Sequence, residues 1–495
     1  GQHVQRGDVL AEADGLLSAP LHASTSGTIR AIEPRPLPHA SLLPGPCIVL
    51  TPDGADTSRA EPLWPVPSDP DALAIEELTA IVRAAGIVGL GGAAFPSAVK
   101  LHPRDTARVD TLILNGAECE PYISCDGAAM VEDADAIVRG ARLVMRASRA
   151  RQVLIGIEDK NTFALQAMRG AVKAAGARHI HVHEVATRYP QGGEKQLIQT
   201  LTGQEVPSAG LPLDIGMVVL NVATAGAIWR AVTTGMPLTE RIVTVTGSGI
   251  AQRRNLRVRL GTPIHALIAA CGGYAGPETE RRLLMGGPMM GVDLADDQRP
   301  VVKGTNCILV GTRADLAPPA DPLPCIRCGD CVEVCPAGLL PQQLYWHARA
   351  HEFDKTQALN LSDCIECGCC AEVCPSALPL VHYYRFAKTE IRIAEEERRK
   401  ADLARQRHEF RQERLERDKR EKEEARRRKR EELAQRQAAQ KAAAADADAP
   451  AAAATTLPPA VLRAQERARK RQVANAAVSE ATPGATPADA PKADS

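Results

Sequence analysis

Eight of the fourteen cysteines in this 495-residue chain fall into two matching runs. The first is Cys325-x2-Cys328-x2-Cys331-x3-Cys335, followed by Pro336; the second is Cys364-x2-Cys367-x2-Cys370-x3-Cys374, followed by Pro375. Thiolates three residues apart wrap one corner of an iron–sulfur cube, and the fourth follows a short helical turn that the proline ends. This spacing holds paired cubane clusters, the fourth cysteine of each run serving the other run's cluster. The expected ligand sets are therefore Cys325, Cys328, Cys331 and Cys374 for one 4Fe-4S cluster, and Cys364, Cys367, Cys370 and Cys335 for the second. Zinc also takes four-cysteine sites, but zinc motifs usually supply cysteines as separated pairs, so two clusters are the preferred reading. Cys369 reads as a cluster neighbour, and Cys47, Cys271 and Cys307 as packing residues. Cluster pairs relay single electrons and do not accept hydride, so a partner group must convert two-electron donors.

Two loops are candidates to hold that group. Residues 86–100 read GIVGLGGAAFPSAVK, placing Gly89, Gly91, Gly92, Ala93 and Phe95 ahead of Lys100. Glycines let backbone amides approach a phosphate, and a following helix start would add its positive end; a plain turn explains such a cluster about as well. The run is neither GxGxxG nor a P-loop. The second loop, ILNGAECEPYISCD, sets Asn115, Glu118, Cys119 and Glu120 directly after a strand-like run, where ligand loops sit in open α/β sheets. Carboxylates buried there need a partner, although a solvated turn accounts for the same residues.

The elements that must position these loops follow from apolar patterning. Residues 1–55 alternate in short runs with turns at Arg6–Asp8, Asp14–Gly15 and Ser26–Gly27, similar to half of a lipoyl-type barrel-sandwich domain. Such domains carry cofactor on a lysine, and the first lysine here is Lys100, so the module reads as a docking unit. After a Pro-rich linker, Ser68 or Asp69 is placed to cap a helix with Leu73, Leu78, Ile81, Val82 and Ala85 inward, stopped at Gly86. Strand-length runs at Thr111–Leu114, Val153–Ile157, Ile180–Val185 and Met217–Val222, with helices such as Thr162–Ala175 between them, predict a Rossmann-like α/β domain over 70–235. Residues 241–300 read as an SLBB-like β-grasp unit of two strands, a helix from Pro263 and a return strand; a ferredoxin-like domain fills 315–385. A charged helix over 390–440 and a disordered tail over 441–495 complete a multidomain α/β and α+β chain.

Composition excludes several roles. Lys+Arg and Asp+Glu are both 60, but residues 388–441 hold 20 basic and 14 acidic residues, leaving 40 against 46 elsewhere. Aromatics are 3% of the chain, few for stacking bases, so no nucleic-acid partner is expected. No stretch approaches the ~18 uninterrupted apolar residues of a membrane span; Met217–Val232 is broken by Asn221, Thr224 and Arg230. Cysteines grouped as metal ligands point to a reducing compartment, and no secretory leader is evident, although the chain opens at Gly1 rather than Met.

The loops 86–100 and 115–122 resemble the flavin and NADH motifs of the NADH-oxidising subunit of respiratory complex I, G-R-G-G-A-G-F-P then Lys, and N-A-D-E-S-E-P. YPQGGE at 189–194 resembles that family's Y-x-x-G-E-E, and NVAT at 221–224 its N-V-E-T. Ala94, Ala117, Gly193 and Ala223 depart from it. Over about 1–390 the chain resembles more fully the C subunits of the Rnf (Rsx) electron transport complex. That resemblance implies FMN at Gly89, Gly91, Gly92, Ala93, Phe95, Lys100, Asn115, Glu118, Asn221 and Thr224, with Glu118, Glu120 and Glu194 orienting NAD(H). It implies a peripheral subunit on the cytoplasmic side of the inner membrane, partnered by the other Rnf subunits and by a ferredoxin or flavodoxin-type carrier. A flavin and iron–sulfur cobalamin reductase, and a non-catalytic iron–sulfur relay or scaffold without flavin, are the competing readings.

Overall fold

The computed structural model describes residues 1–39, 41, 43–101, 108–316 and 320–445, with 460, 463, 464 and 466–469. Most of the expected tail, 441–495, lies outside the described residues. Residues 1–397 form one compact unit and those from Arg398 a second, whose described part is helical.

The chain opens with strands β1 (His3–Val4), β2 (Val9–Ala11), β3 (Leu21–His22), β4 (Gly27–Pro36) and β5 (Pro44–Pro52). β1, β4 and β5 form one antiparallel sheet and β2 and β3 a second, as expected of half a barrel-sandwich. The module is fastened to the next domain: Lys303 Nζ donates to Pro20 O at 2.7 Å and Gly86 O at 2.6 Å, and Arg259 reaches Ser24 O and Asp56. Burial lowers Lys303 to about 8, consistent with an ammonium held by backbone carbonyls alone.

The helix expected from Ser68 or Asp69 begins later. Asp69 accepts from Asp71 N and closes only a short 3-10 turn, Pro70–Ala72. Helix α1 (Ile75–Ala84) starts after Ala74, whose N–H donates to the Glu77 carboxylate at 3.3 Å. Its buried side is Leu78, Ile81 and Val82. Beyond α2 (Ser97–Leu101) lie β6 (Thr111–Gly116), α3 (Cys125–Glu132), α4 (Ala134–Ser148), β7 (Gln152–Glu158), α5 (Thr162–Ala174), β8 (Ile180–Val185), α6 (Glu194–Thr202), β9 (Met217–Asn221) and α7 (Val222–Thr234). The four strands are parallel, in the order β8-β7-β6-β9. Apolar residues on both faces of β6 and β7 are buried, as a sheet covered on two sides requires. Val222, expected in the strand, begins α7 because the Asn221 side chain accepts from Ala223 N at 2.9 Å and so caps the helix.

The β-grasp unit contains β10 (Glu240–Thr246), β11 (Arg254–Arg259), α8 (Ile264–Ala270), β12 (Arg282–Met285), β13 (Val292–Asp293) and β14 (Cys307–Gly311). Its sheet runs β11-β10-β14-β12-β13. The central strand β14 lies past the expected boundary at 300; its Cys307–Val310 run is wholly buried between two neighbours. Short helices α9 (Asp330–Glu333), α10 (Pro341–Arg349), α11 (Phe353–Ala358) and α12 (Cys369–Glu372) carry the cysteine region. Helix α13 (Leu380–Ala445) starts earlier than 390 because Leu380, Tyr384 and Ala387 of its first turns are buried in that region's core. No helix of the described residues is long and apolar enough to cross a membrane.

Helices α4 and α7 meet at Gly140, where a Cβ would overlap the Ala225 carbonyl. Gly140→Ala is expected to lower unfolding stability by about 1–3 kcal/mol, or more if the backbone cannot shift, as read by chemical denaturation; unchanged stability would show that the two helices part freely.

Candidate functional site

β9, the last of the four strands in sequence, pairs with β6 on the side away from β7, so the strand order reverses between β6 and β9; crevices at such a reversal, at the carboxyl ends, are where α/β sheets bind ligands. Asn115 and Asn221 end these two strands and are paired in register. Above them stands the glycine loop. Gly89 N donates to Phe95 O at 2.8 Å and Ala94 N to Gly89 O at 3.1 Å, closing a turn with Gly91, Gly92 and Ala93 exposed at its tip. Gly92 has φ +112° and Ala94 φ +51°, a backbone that glycine adopts without penalty. A Cβ on Gly91 would sit 3.2 Å from Asn221 Nδ2, so glycine keeps the tip close to the switch point. The loop is anchored below by Leu90 N donating to Thr224 Oγ1 at 2.9 Å and by Arg241 Nη2 donating to Leu90 O at 2.8 Å. Helix α2, which follows, has only five residues.

Lys100 Nζ lies 2.8 Å from Glu194 and donates to Val219 O at 2.9 Å; Asn115 Nδ2 donates to Gly192 O at 2.8 Å. The four sequence motifs thus converge through Lys100, Asn115, Glu194, Asn221 and Thr224. The acidic loop divides its two glutamates. Glu118 turns onto the start of α3, accepting from Asp126 N at 2.9 Å and Gly127 N at 3.1 Å. Asp126 beside it accepts from Asn221 Nδ2 at 2.6 Å. Burial, then the Glu118 charge, push the Asp126 carboxyl up to about 8. With Cys125 these two are close enough to hold a metal ion; burial raises the Glu118 carboxyl as well, and both Glu118 oxygens are engaged by backbone amides of α3.

Glu120 points the other way, accepting from Met289 N at 2.8 Å and Met290 N at 3.1 Å in the turn between β12 and β13. Burial raises its carboxyl, opposed by those two amides and by Tyr189. Beside it, Cys119 Sγ accepts from Gly192 N at 3.1 Å, and burial pushes this thiol up to about 11.

The two cysteine runs share one backbone. Arg327 and Glu366 have φ +58° and +56°, and Gly329 and Gly368 φ +93° and +84°. Cys335, Cys364, Cys367 and Cys370 line a single cavity with Ile365, Leu344 and Tyr384, a set drawn from both runs. Cys331 is raised by burial and then, after a backbone contact that lowers it, by its neighbours Cys328, Cys374 and Cys325. Cys370 is pushed up to about 12 by burial and then by Cys364, Cys367, Cys335 and Cys331. Metal ligation by such thiols requires their deprotonation.

The runs differ in what surrounds them. Tyr189 donates its hydroxyl proton to Cys367 O at 2.6 Å, Lys195 Nζ lies 3.4 Å from Asp363, and Ala209 N donates to Asp363 at 3.1 Å. A Cβ on Gly368 would stand 2.9 Å from Met289 O, whereas one on Gly329 would meet nothing within 4 Å. Cys367 is buried and Cys328 exposed. The second run therefore rests on the α/β and β-grasp domains. Tyr189, Arg241, Asp126 and the Met289 turn were not singled out as site residues from sequence. The tyrosine of YPQGGE and the glycines of MGGPMMG were the available signals.

Family models match in chain order: the RnfC barrel sandwich hybrid domain at 1–55, the Nuo51 FMN-binding domain at 82–230, the SLBB domain at 242–293 and the 4Fe-4S dicluster domain at 324–378. A relative from Pseudomonas aeruginosa, described as the C subunit of an ion-translocating oxidoreductase complex, is 48% identical over 418 residues, covering 84% of this chain and 53% of its own length. One of that description from Erwinia tasmaniensis is 46% identical, covering 85% and 51%. Another, from Rhodobacter capsulatus, is 48% identical over 388 residues, covering 78% and 73%. The chain thus spans about half the length of the first two relatives. Among solved structures, an NAD+-reducing NiFe-hydrogenase in the H2-reduced state aligns at a TM-score of 0.46 and 20% identity, covering 66% of this chain and 63% of that one. The chain carries an FMN-binding domain and a domain for two 4Fe-4S clusters.

The raised Asp126 carboxyl has a stability consequence. Between its ordinary value of 3.8 and about 8 the folded chain holds a proton that the unfolded chain has lost, so stability falls as pH rises through this window. Thermal melts are expected to show that decline, and Asp126→Asn to flatten it; a variant with the parent slope would move the proton elsewhere.

Proposed function

The chain belongs to the family of C subunits of ion-translocating oxidoreductase complexes, and from that premise we propose that it exchanges electrons between NAD(H) and FMN and passes them singly through two 4Fe-4S clusters. The observation that carries this reading is the seating of the second cysteine run on the loops around the sheet's switch point, through Tyr189, Asp363 and Gly368. Bound flavin supplies the conversion between hydride and single electrons, and the protein supplies position and electrostatics.

In this proposal the exposed tip Gly91–Ala93 and Lys100 face the flavin phosphate, with Gly89 and Phe95 closing the loop. Asn115, Asn221 and Thr224 hold the strand ends and the loop floor in place. Glu118 acts through α3 as a positioning residue, because both its oxygens serve that helix. Glu120 and Glu194 border the nucleotide side; Glu194 also fixes the Lys100 ammonium. Cys335, Cys364, Cys367 and Cys370 hold the cluster next to the flavin loop, and Cys325, Cys328, Cys331 and Cys374 the outer one, where exposed Cys328 marks the exchange point with a partner. The partners proposed are the other subunits of the membrane complex, with a ferredoxin or flavodoxin-type carrier beyond them. Attachment would be peripheral, on the cytoplasmic side.

Anaerobic loading with iron, sulfide and FMN, followed by NADH titration, tests this. Flavin absorbance is expected to bleach and both cluster EPR signals to appear. In Cys335→Ala the flavin should still bleach while the remaining cluster is reduced only slowly; in Cys374→Ala the remaining cluster should be reduced at the parent rate. Flavin that NADH leaves oxidised would overturn the NADH assignment, and absent yellow colour the flavin itself. The reverse pattern in the two cysteine variants would invert the order of the clusters.

A further inference from the structure

The two cysteine runs are near copies in backbone, which makes their different surroundings a controlled comparison within one chain. At the second cysteine of each run the contrast is greatest: Cys328 is exposed, while Cys367 is buried and its carbonyl oxygen accepts from the Tyr189 hydroxyl at 2.6 Å. Tyr189 opens the segment 189–194 that also meets Asn115 through Gly192 O and Lys100 through Glu194. The same segment reaches the acidic loop, where Gly192 N donates to Cys119 Sγ at 3.1 Å. One short segment thus touches the acidic loop and, through the Tyr189 phenol, the backbone of a cluster ligand. The neighbouring contacts hold it there. A Cβ on Gly192 would overlap Ala117 O, Lys195 pairs with Asp363 one residue before Cys364, and Met289 crowds Gly368 one residue after Cys367.

Resting on the ligand sets proposed above, we propose that Tyr189 is a positioning residue whose hydroxyl, by donating to the Cys367 carbonyl, sets the potential of the second cluster alone. A donor directed at the cluster's ligand backbone places a partial positive charge beside a centre that gains an electron, and hydrogen bonding and exposure are levers on iron–sulfur potential. The hydroxyl therefore favours the reduced cluster next to the flavin loop, and its loss lowers that potential. The first cluster, whose Cys328 faces solvent, does not feel the change.

The test is an EPR-monitored redox titration of the full chain loaded with iron, sulfide and FMN, with Cys335→Ala and Cys374→Ala identifying each signal. Tyr189→Phe keeps the ring and removes the donor. Iron content is expected to stay at the parent level, the second cluster's midpoint to move to lower potential, and the first cluster's to stay in place. Replacing Tyr189 by 3-fluorotyrosine, a stronger donor, should move the second midpoint upward and serves also if the Phe variant loses iron. Midpoints that stay put in both variants, or clusters that shift together, would overturn the assignment. A parent chain that assembles no clusters would instead defeat the ligand sets on which it rests.

Discussion

A relay of single electrons works only if its centres are held close together and still, and here the seat of the second cysteine run meets that constraint. Asp363, Cys367 and Gly368 are each fixed from outside the run, by Lys195 and Ala209, by Tyr189, and by the Met289 turn. From the other side Lys388 Nζ donates to Cys364 O at 2.6 Å and, with Arg385, holds Glu366. Burial at this run raises Glu366, but its two basic partners win and hold it below the usual carboxylate range. Cationic and hydrogen-bonding groups thus collect around the second run's pocket.

The flavin-side loops depend on that seat in turn. Glu120 is clamped by backbone amides of the same turn that crowds Gly368, so the acidic loop and the cluster loop share a wall. Beneath them Asn115 and Asn221, one residue from each strand at the switch, spend their amides on Gly192 O and Asp126. Half-buried polar groups this close satisfy one another, and each does so by tying a different loop to the sheet.

Much of this was legible in the sequence because it rests on short-range patterns. The cysteine spacing and its prolines required no tertiary knowledge, and the parallel strands were visible as unbroken apolar runs, two of which needed only a residue or two more at their ends. The start of α1 was harder: Asp69 does cap, but the cap serves a 3-10 turn and Glu77 starts the helix. Strand β14 was missed because its pairing partner β10 lies some sixty residues earlier, and only the sheet order makes Cys307–Gly311 central. The opposite fates of Glu118 and Glu120 were hidden for the same reason; two residues apart in sequence, they are claimed by α3 and by the Met289 turn. The role of Tyr189 depends on a contact across 178 residues.

The cluster of the second run stands next to the flavin loop in this proposal, and the two clusters exchange their fourth ligands. An experimental structure of the chain loaded with FMN, iron and sulfide measures both at once. The flavin ring is expected to lie nearer the cube bound by Cys335, Cys364, Cys367 and Cys370 than the cube bound by Cys325, Cys328, Cys331 and Cys374. A flavin nearer the outer cube, or cubes each held by the four cysteines of a single run, would contradict it.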